Sequence, residues 1–309
     1  NWPPPTTGRC SAYAATGTCG SHEHVDTTFD EFAHRILEVF FMHAAVSDAY
    51  DSLRHKSDDS LCYLIYTCYP VNTIGHKTHR FVVYAEKIGE EYLIPLLGVY
   101  DNFEEIDFDK LPNQFVIKCN HGSGYNIIVK DKSQLDMQDA KEKLDKWMAE
   151  DFSMTAGYEL HYRNMVHKII IEQYMDDGTG DLRDYKYTCF DGKPEFIWID
   201  SDRHTVHKRN LYDLDWKQLP YKVNSSYGTF PSPQKPICLE EMNKLAALLS
   251  KGFPYVRVDF YIINEKIYFG EMTFTSSSGL EDVKPEKFER KLSNLLKLPK
   301  LAYNIDTDM

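Results

Sequence analysis

The sequence predicts an α+β fold in which β-hairpins alternate with single amphipathic helices, and three observations carry this prediction. Residues 256–263 and 267–275 are runs of β-branched and aromatic residues separated by a short polar turn, which is the pattern of a β-hairpin. Asp191 and Gly192 separate two further such runs, and an Asp-Gly pair favours a tight turn between antiparallel strands. Apolar residues recur at helical spacing in two long segments, residues 133–152 and 239–251.

The chain of 309 residues is long enough to bury a hydrophobic core in one large domain or in two. No apolar run approaches the ~20 residues that cross a bilayer. The net charge of −12 argues against binding along a nucleic-acid backbone, which requires clustered Lys and Arg. Seven cysteines without a CxxC pair indicate neither a zinc knuckle nor a complete disulfide framework, and the first residues show no signal peptide. We therefore expect a cytoplasmic protein with no nucleic-acid partner and no transmembrane segment.

Residues 1–84 show fewer clear helix-cap and strand patterns than the rest of the chain and are treated as a separate segment. Its clearest elements are an amphipathic helix predicted within residues 28–46 and a strand predicted at residues 61–69. From Tyr84 onward the pattern becomes more regular. A short helix is expected at residues 85–91, followed by a buried extended run at residues 93–100.

A glycine-containing loop joins two short predicted strands at residues 115–119 and 126–130. Gly122 and Gly124 permit positive φ and let backbone N–H groups approach an anion closely, as in a phosphate-binding turn. A strand follows the loop instead of a helix, so this is not a Walker motif. An ordinary hairpin turn remains the alternative, and Lys118 on the preceding strand favours the phosphate site.

The next elements are a helix at residues 133–152 that begins at Ser133, a buried strand at residues 168–175 and a hairpin whose first arm carries Asp184 and Lys186. Residues 200–215 are predicted to be a polar loop, either solvated or an anion site, because they contain a local basic cluster. The members of the cluster are Arg203, His204, His207, Lys208 and Arg209. A helix at residues 239–251 precedes the C-terminal hairpin, and a closing helix is expected at residues 284–296 with Pro285 in its first turn.

The C-terminal hairpin carries one acid on each arm, Asp259 and Glu271, and cross-strand pairing would place them side by side. Two adjacent carboxylates repel each other unless a cation lies between them. Mg²⁺ fits this position because it prefers carboxylate, phosphate and water oxygens. Arg257 lies on the same face of its strand and would add a positive charge toward the same phosphates. The alternative is a solvated hairpin face with unrelated charges.

Two phrases of this sequence resemble typical phrases of the TupA-like ATP-grasp family of bacterial polysaccharide gene clusters. They are Leu-Pro-Asn-Gln-Phe-Val-Ile-Lys-Cys-Asn-His-Gly-Ser-Gly at residues 111–124 and Phe-Pro-Tyr-Val-Arg-Val-Asp-Phe-Tyr at residues 253–261. Similar runs extend over about residues 87–299. The resemblance implies the ATP-grasp fold, in which two α+β subdomains hold ATP between them. The implied ATP-grasp domain spans residues 85–309, with a lid subdomain at about 111–172 and a C-terminal subdomain at about 173–300.

The resemblance also implies roles for individual residues. The implied ATP-binding residues are Lys118, His121, Gly122, Ser123, Gly124, Glu172, Gln173, Tyr174, Asp184 and Lys186. Within this set, Lys118 and the glycine loop would bind phosphates, Glu172 with the following backbone would read the adenine edge, and Asp184 would bond the ribose. Asp259, Glu271 and Thr273 would hold Mg²⁺, although many family members have Asn at the last position.

Two further groups complete the implied site. Arg257 and one of Lys208 or Arg209 would stabilise the transferred phosphoryl group, and the acceptor would lie near residues 275–279. Positioning, charge neutralisation and exclusion of water are what phosphoryl transfer from ATP requires.

The function that these features and the resemblance favour is a carboxylate–amine ligase that acts through an acyl phosphate, with ATP and Mg²⁺ as cofactors. Its partners would be a saccharide or other small carboxylate, an amine and, through peripheral association, proteins of envelope biosynthesis. A sugar kinase, which stops after phosphoryl transfer, is the first alternative. A glycosyltransferase is the second, because Asp200-Ser201-Asp202 matches a DxD motif. A nucleotide-binding scaffold without turnover is the third.

Overall fold

The computed structural model describes residues 84, 87–155, 162, 165–178, 182–202, 206–274, 276 and 281–297. The helix predicted within residues 28–46 and the strand predicted at residues 61–69 lie outside this part of the chain. No helix in the described ranges is long and apolar enough to cross a membrane. Two antiparallel sheets and a two-stranded ribbon organise these residues, with helices packed against the sheets, which is the predicted α+β class.

The first sheet is formed by β1 (Leu96–Tyr100), β2 (Phe115–Cys119), β3 (Asn126–Val129) and β4 (Ile169–Gln173). The strand order is β1-β4-β2-β3, and every neighbouring pair is antiparallel. The helices of this part are α1 (Met137–Ala149), α2 (Phe152–Thr155) and four 3-10 turns at Glu90–Tyr92, Phe103–Glu105, Phe108–Lys110 and Lys132–Gln134. Alternate residues of β2 and β4, such as Phe115 and Ile171, pack with Leu144 of α1 in one core.

The start of α1 differs from the prediction, because Asp136 and not Ser133 caps the helix. The Asp136 side chain accepts hydrogen bonds from the backbone N–H groups of Gln138 and Asp139, each at 3.0 Å. Ser133 lies instead in the preceding 3-10 turn, where Asp131 accepts a bond from its backbone N–H. The predicted helix at residues 133–152 therefore combines a 3-10 turn, α1 and the start of α2.

The second sheet contains β5 (Asp184–Phe190), β6 (Lys193–Ser201), β7 (Lys208–Tyr212), β8 (Gln218–Leu219), β10 (Tyr255–Ile263) and β11 (Lys266–Thr273). Its strand order is β11-β10-β5-β6-β7-β8, and β9 (Lys222–Val223) and β12 (Val283–Lys284) form the separate ribbon. The remaining helices are α3 (Leu239–Ser250) and α4 (Glu286–Leu295). The two predicted hairpins are present, and Asp191 and Gly192 have φ of 49° and 72°, which confirms the primed turn.

Strand β7 corrects the prediction of one polar loop over residues 200–215. Asn210, Leu211 and Tyr212 are buried in the sheet, and Lys208 and Arg209 lie on the same strand and not on a solvated loop. Arg203 and His204 lie outside the described residues. Pro285 also differs slightly from the prediction, since it is the residue before α4 and not part of its first turn.

The two faces of the second sheet have different surroundings. On one face, side chains such as Tyr187, Val256 and Phe260 pack with α3, and Tyr84 and Leu93 join the same core. The other face divides into two halves. One half is apolar and packs with α4, in a cluster that includes Phe190, Phe196, Leu211, Tyr255 and Phe288. The other half carries charged side chains and forms the candidate site.

Candidate active site

The charged half of the second sheet is assembled by strand register. Asp259 lies directly opposite Glu271 in the hairpin, which confirms the predicted pairing. On the other side of β10, Asp259 pairs with Lys186 of β5. Since side chains two residues apart share a face, Arg257 and Asp184 point to the same side. Side chains from three strands thus meet on one surface.

Asp259 is the buried centre of this cluster, with a relative exposure of 1%. Arg257 holds the carboxylate in a bidentate grip, with Nε donating to Oδ1 at 2.7 Å and Nη2 to Oδ2 at 2.8 Å. Lys186 Nζ also donates to Oδ2 and lies 3.2 Å from an Asp184 oxygen. Burial opposes ionisation of Asp259, but the charges of Arg257 and Lys186 outweigh it and lower its pKa to about 2.

Arg257 links the buried acid to the exposed edge of the site. Its Nη2 donates to Glu271 Oε1 at 3.1 Å and to Thr273 Oγ1 at 2.9 Å, and its Nη1 donates to Ser276 Oγ at 2.9 Å. Burial opposes the charge of Arg257, but Asp259 outweighs burial and raises the pKa of the guanidinium well above its usual value. The cation that lies between the two acids in this structure is therefore the Arg257 side chain.

Arg209 and Lys208 were alternatives for stabilising the transferred phosphoryl group, and they lie on opposite faces of β7. Arg209 is on the site face, where its Nε and Nη2 donate to buried Asp200 at 2.6 and 3.0 Å. Its guanidinium carbon lies 4.2 Å from the centre of the Trp198 ring and 5.1 Å from that of Tyr227. Burial opposes ionisation of Asp200, but Arg209 outweighs it and lowers the Asp200 pKa.

These are contacts within the protein itself, so the role predicted for one of Lys208 or Arg209 in phosphoryl transfer stays a prediction. The Arg209 guanidinium lies against two aromatic rings and pairs with Asp200, so in this structure it positions Asp200. Lys208 faces away from the cluster and pairs with Asp202 at 2.7 Å. Because each acid of the DxD-like motif pairs with one of these two cations, the motif does not form a metal site here.

Lys118 and Glu172 lie on the first sheet, on the face opposite the Phe115 and Ile171 core. Lys118 Nζ donates to Glu172 Oε2 at 2.5 Å, and both side chains are partly exposed. The predicted phosphate lysine and the predicted adenine-side acid therefore form an ion pair with each other. The next backbone N–H, that of Gln173, donates to Pro95 O at 2.9 Å. The Gln173 N–H is therefore used within the protein. Tyr174 remains the predicted hinge residue whose backbone could contact the adenine edge.

The glycine loop between β2 and β3 has the backbone freedom that its sequence predicts. Gly124 has φ of 77° and open space where a Cβ would lie, and Ser123 is exposed. A Cβ at Gly122 would lie 2.6 Å from the Tyr125 ring, so a side chain at this position requires the ring to move. The loop can present its N–H groups because its two glycines carry no side chains.

His121 departs from its predicted contact with ATP, because its side chain is completely buried. Its Nε2 donates to Trp147 O at 2.8 Å, and its ring stacks on His167 with centroids 3.6 Å apart. His167 Nδ1 lies 2.8 Å from the next carbonyl, Met148 O. Burial lowers the pKa of His121 and favours the neutral ring. The His121 side chain therefore attaches the glycine loop to the C-terminal end of α1.

The sequence was compared with protein-family models, and the TupA-like ATP-grasp model matches residues 67–297. The chain belongs to the TupA-like ATP-grasp family. The matched segment begins earlier than residue 87, where the resemblance in the sequence analysis begins. The fold is accordingly the ATP-grasp fold, with the two antiparallel sheets described above.

Solved structures with detectable similarity include three ligases or synthetases. The D-alanine–D-alanine ligase from Bacillus anthracis complexed with ATP is 19% identical over 62% of this chain and 52% of that chain, with a TM-score of 0.36. The corresponding Helicobacter pylori ligase is 14% identical over 72% and 61%, with a TM-score of 0.39. D-cycloserine synthetase DcsG is 14% identical over 69% of both chains, with a TM-score of 0.33. The chain spans about half the length of the Bacillus anthracis ligase, and a comparison with curated proteins found no match.

The ATP-grasp family implies Mg²⁺, and the donor set of this chain fits that ion in its chemistry. Asp259, Glu271 and Thr273 supply the hard oxygen donors that Mg²⁺ prefers. In the described residues, however, no group of three or more His, Cys, Asp or Glu side chains is placed to hold a metal. The Asp259 oxygens already accept three N–H bonds, whereas the Glu271 side chain is 56% exposed. Binding at all three donors therefore requires Arg257 to move away from Glu271.

Two residues beside the candidate site and its glycine loop were missed by reasoning from the sequence. Trp198 lies between the two arginines, with the Arg257 guanidinium carbon 5.6 Å from its ring centre. The period of two along β6 could have found it, since Trp198 shares a face with Asp200. His167 carried no such signal, because its partners lie far away in the sequence.

Proposed function

We propose that the protein is an ATP-dependent carboxylate–amine ligase that acts in the cytoplasm through an acyl phosphate, in cell-surface polysaccharide biosynthesis. One observation carries the proposal. In a chain of the ATP-grasp family, Asp259 and Glu271 face each other with Lys186 and Arg257 in direct contact. This arrangement concentrates two acids for a cation and two basic groups for phosphate on one surface. The free thiols of Cys119, Cys189 and Cys238 are compatible with a reducing compartment.

The nucleotide phosphates would bind at the charged half of the second sheet. Lys186 and Arg257 would donate to phosphate oxygens, and Asp259, Glu271 and Thr273 would hold Mg²⁺. Bound there, the ion would neutralise charge on the phosphates. Asp259 would in addition orient its two basic neighbours, because Arg257 and Lys186 both donate to its carboxylate.

The first sheet would supply the rest of the nucleotide site. Lys118 would leave its ion pair with Glu172 and bind phosphate. The N–H groups of Gly122, Ser123 and Gly124 would close over the phosphates. Glu172 and Tyr174 would contact the adenine. Asp184 would remain the ribose candidate. We retain the division into a lid subdomain at about 111–172 and a C-terminal subdomain at about 173–300, with β1 added to the lid because it pairs with β4.

The reaction would proceed in two steps. A carboxylate oxygen of the first substrate attacks the terminal phosphorus, the bond to the bridging oxygen breaks, and ADP leaves. The amine nitrogen then attacks the acyl carbon, and the bond from that carbon to the phosphate oxygen breaks. The nitrogen gives up one proton, inorganic phosphate leaves with that proton, and the amide is formed. Arg257 would stabilise the charge that develops on the phosphoryl oxygens in the first step.

A screen for ADP release tests this proposal. The purified protein is incubated with Mg·ATP and pairs of carboxylates and amines, and ADP and free phosphate are measured separately. A ligase releases both products only when acid and amine are present together, with an amide as the third product. A kinase would release ADP while phosphate stays on the acceptor, and this result would reject the ligase. Turnover that persists in Glu271→Ala would place the catalytic site elsewhere.

A further inference from the structure

A small recess lies on the same face of the second sheet as the charged cluster, directly beyond Arg257. Four polar residues, Thr188, Trp198, Ser276 and Glu281, contribute to its lining, and aromatic and aliphatic side chains from the sheet and α4 form the other walls. The enclosed part has room for about one water molecule. Together with its open mouth, the recess measures about 320 Å³.

Two of the lining residues contribute buried polar atoms that have no hydrogen-bond partner in the described part of the chain. These atoms are Trp198 Nε1 and Thr188 Oγ1, and each residue has a relative exposure of 1%. A buried donor or acceptor without a partner destabilises the fold, so such atoms in a native protein indicate a missing partner. The recess therefore has both the space and the polar groups of a binding site.

Strand register places this recess beside the reacting end of the proposed nucleotide site. Thr188 lies directly opposite Arg257, and Trp198 lies opposite Lys186. Ser276 accepts a hydrogen bond from Arg257, and Glu281 Oε1 lies 3.7 Å from Arg209 Nη1. A ligand group in the recess would consequently lie next to the side chains proposed to hold the transferred phosphoryl group.

The chemistry of the lining selects among ligand groups. The Trp198 indole can only donate, so the ligand must offer an acceptor, and an ammonium group has none. A carboxylate could accept from Trp198 and Thr188, but Glu281 places a negative charge in the lining, and the nearby cations Arg209 and Arg257 already pair with Asp200 and Asp259. A hydroxyl oxygen accepts from Trp198, exchanges a hydrogen bond with Thr188 and fits a space of about one water molecule. Sugars and polyols carry such groups.

We propose that this recess binds a hydroxyl group of the acceptor substrate, which makes that substrate a sugar or polyol derivative. Its role as an acceptor subsite rests on the proposed ligase function, whereas the binding of a hydroxyl group does not. A water molecule would occupy the enclosed part until the substrate hydroxyl displaces it.

The indole N–H signals of ¹⁵N-labelled full-length protein test this proposal, because the chain has only four tryptophans. Glycerol, acetate and methylammonium are titrated separately, and the Trp198 signal is assigned with Trp198→Phe. Glycerol should shift the Trp198 signal in a saturable manner and leave that of Trp216, whose Nε1 donates to Pro233 O, unchanged. Thr188→Val should weaken glycerol binding about tenfold, the effect of one hydrogen bond, and Thr188→Ser should restore it.

Several results would overturn the proposal. These are the absence of a selective shift with glycerol, a larger response to acetate or methylammonium, and a response that Thr188→Val leaves unchanged. ADP binding is measured by calorimetry on the same samples. If ADP binds and glycerol gives no shift, the hydroxyl subsite fails alone. If glycerol shifts Trp198 and neither ATP nor ADP binds, the ligase proposal fails while the hydroxyl site stands.

Discussion

Replacing Arg209 by Met tests whether this residue holds buried Asp200 in the folded protein. The substitution keeps an apolar side chain of similar length between Trp198 and Tyr227, but it removes the two hydrogen bonds that Asp200 accepts at 2.6 and 3.0 Å. Asp200 has a relative exposure of 3%, so its carboxylate would be left buried without its bidentate arginine partner. Breaking a buried ion pair in this way costs about 3–5 kcal/mol of unfolding free energy.

The adjacent Lys208 offers a matched control for the same experiment. Its ion pair with Asp202 is about one third exposed on each side, so Lys208→Met should cost only about 0–1 kcal/mol. Urea unfolding followed by circular dichroism measures both variants. Equal stability losses in the two variants would refute the assignment of Arg209 as a positioning residue.

The pH dependence of the same variants gives an independent check. Arg209 lowers the pKa of Asp200 in the folded protein, so the stability from this pair is present above the unfolded pKa of about 3.9. This stability is lost as the pH falls through the lower pKa that Asp200 has in the folded protein. The difference in stability between the wild-type protein and Arg209→Met should therefore shrink as the pH falls below about 4. A difference that stays constant would contradict the pairing.

Three further predictions concern the site and its loop. Glu271→Gln should abolish turnover but change the unfolding free energy by less than about 1 kcal/mol, because the side chain is 56% exposed. A large loss of stability in urea unfolding would contradict this peripheral position of Glu271. Gly122→Ala should lower the melting temperature by displacing Tyr125, whereas Gly124→Ala meets no atoms and should cost only about 1 kcal/mol through its φ of 77°. Burial lowers the pKa of His121, so near and below about pH 6.5 the unfolded chain binds more protons than the folded protein. The unfolding free energy should therefore fall between pH 7.5 and pH 5.5. Urea unfolding of His121→Gln should show a weaker dependence on pH than that of the wild-type protein.

Hairpins, buried strands and the pairing of Asp259 with Glu271 could be predicted from the sequence, because strand alternation and turn residues are local signals. The contacts of charged side chains were harder to predict. The position of Arg257 two residues from Asp259 indicated a shared face, but not that its guanidinium would hold both acids. That outcome depends on burial, which raises the energetic cost of an uncompensated carboxylate.

Long-range packing accounts for the remaining differences. The resemblance implied that His121 contacts ATP, yet its ring contacts Trp147 and His167 of other segments. Local sequence carries no information on those distant partners. The separation of Arg209 from Lys208 has a similar origin, because a predicted loop assigns no face to either side chain, whereas β7 places them on opposite faces.

The central claim is that the charged half of the second sheet binds Mg·ATP, and calorimetry tests it most directly. ATP, ADP and UDP-glucose are each titrated into the full chain with Mg²⁺, and then into Lys186→Met, which removes one of the two cations beside Asp259. Circular dichroism verifies that the variant is folded. Both adenine nucleotides should bind the wild-type protein, UDP-glucose should not, and the variant should bind ATP at least tenfold more weakly. The absence of heat with both ATP and ADP, or equal affinity in the folded variant, would contradict the claim.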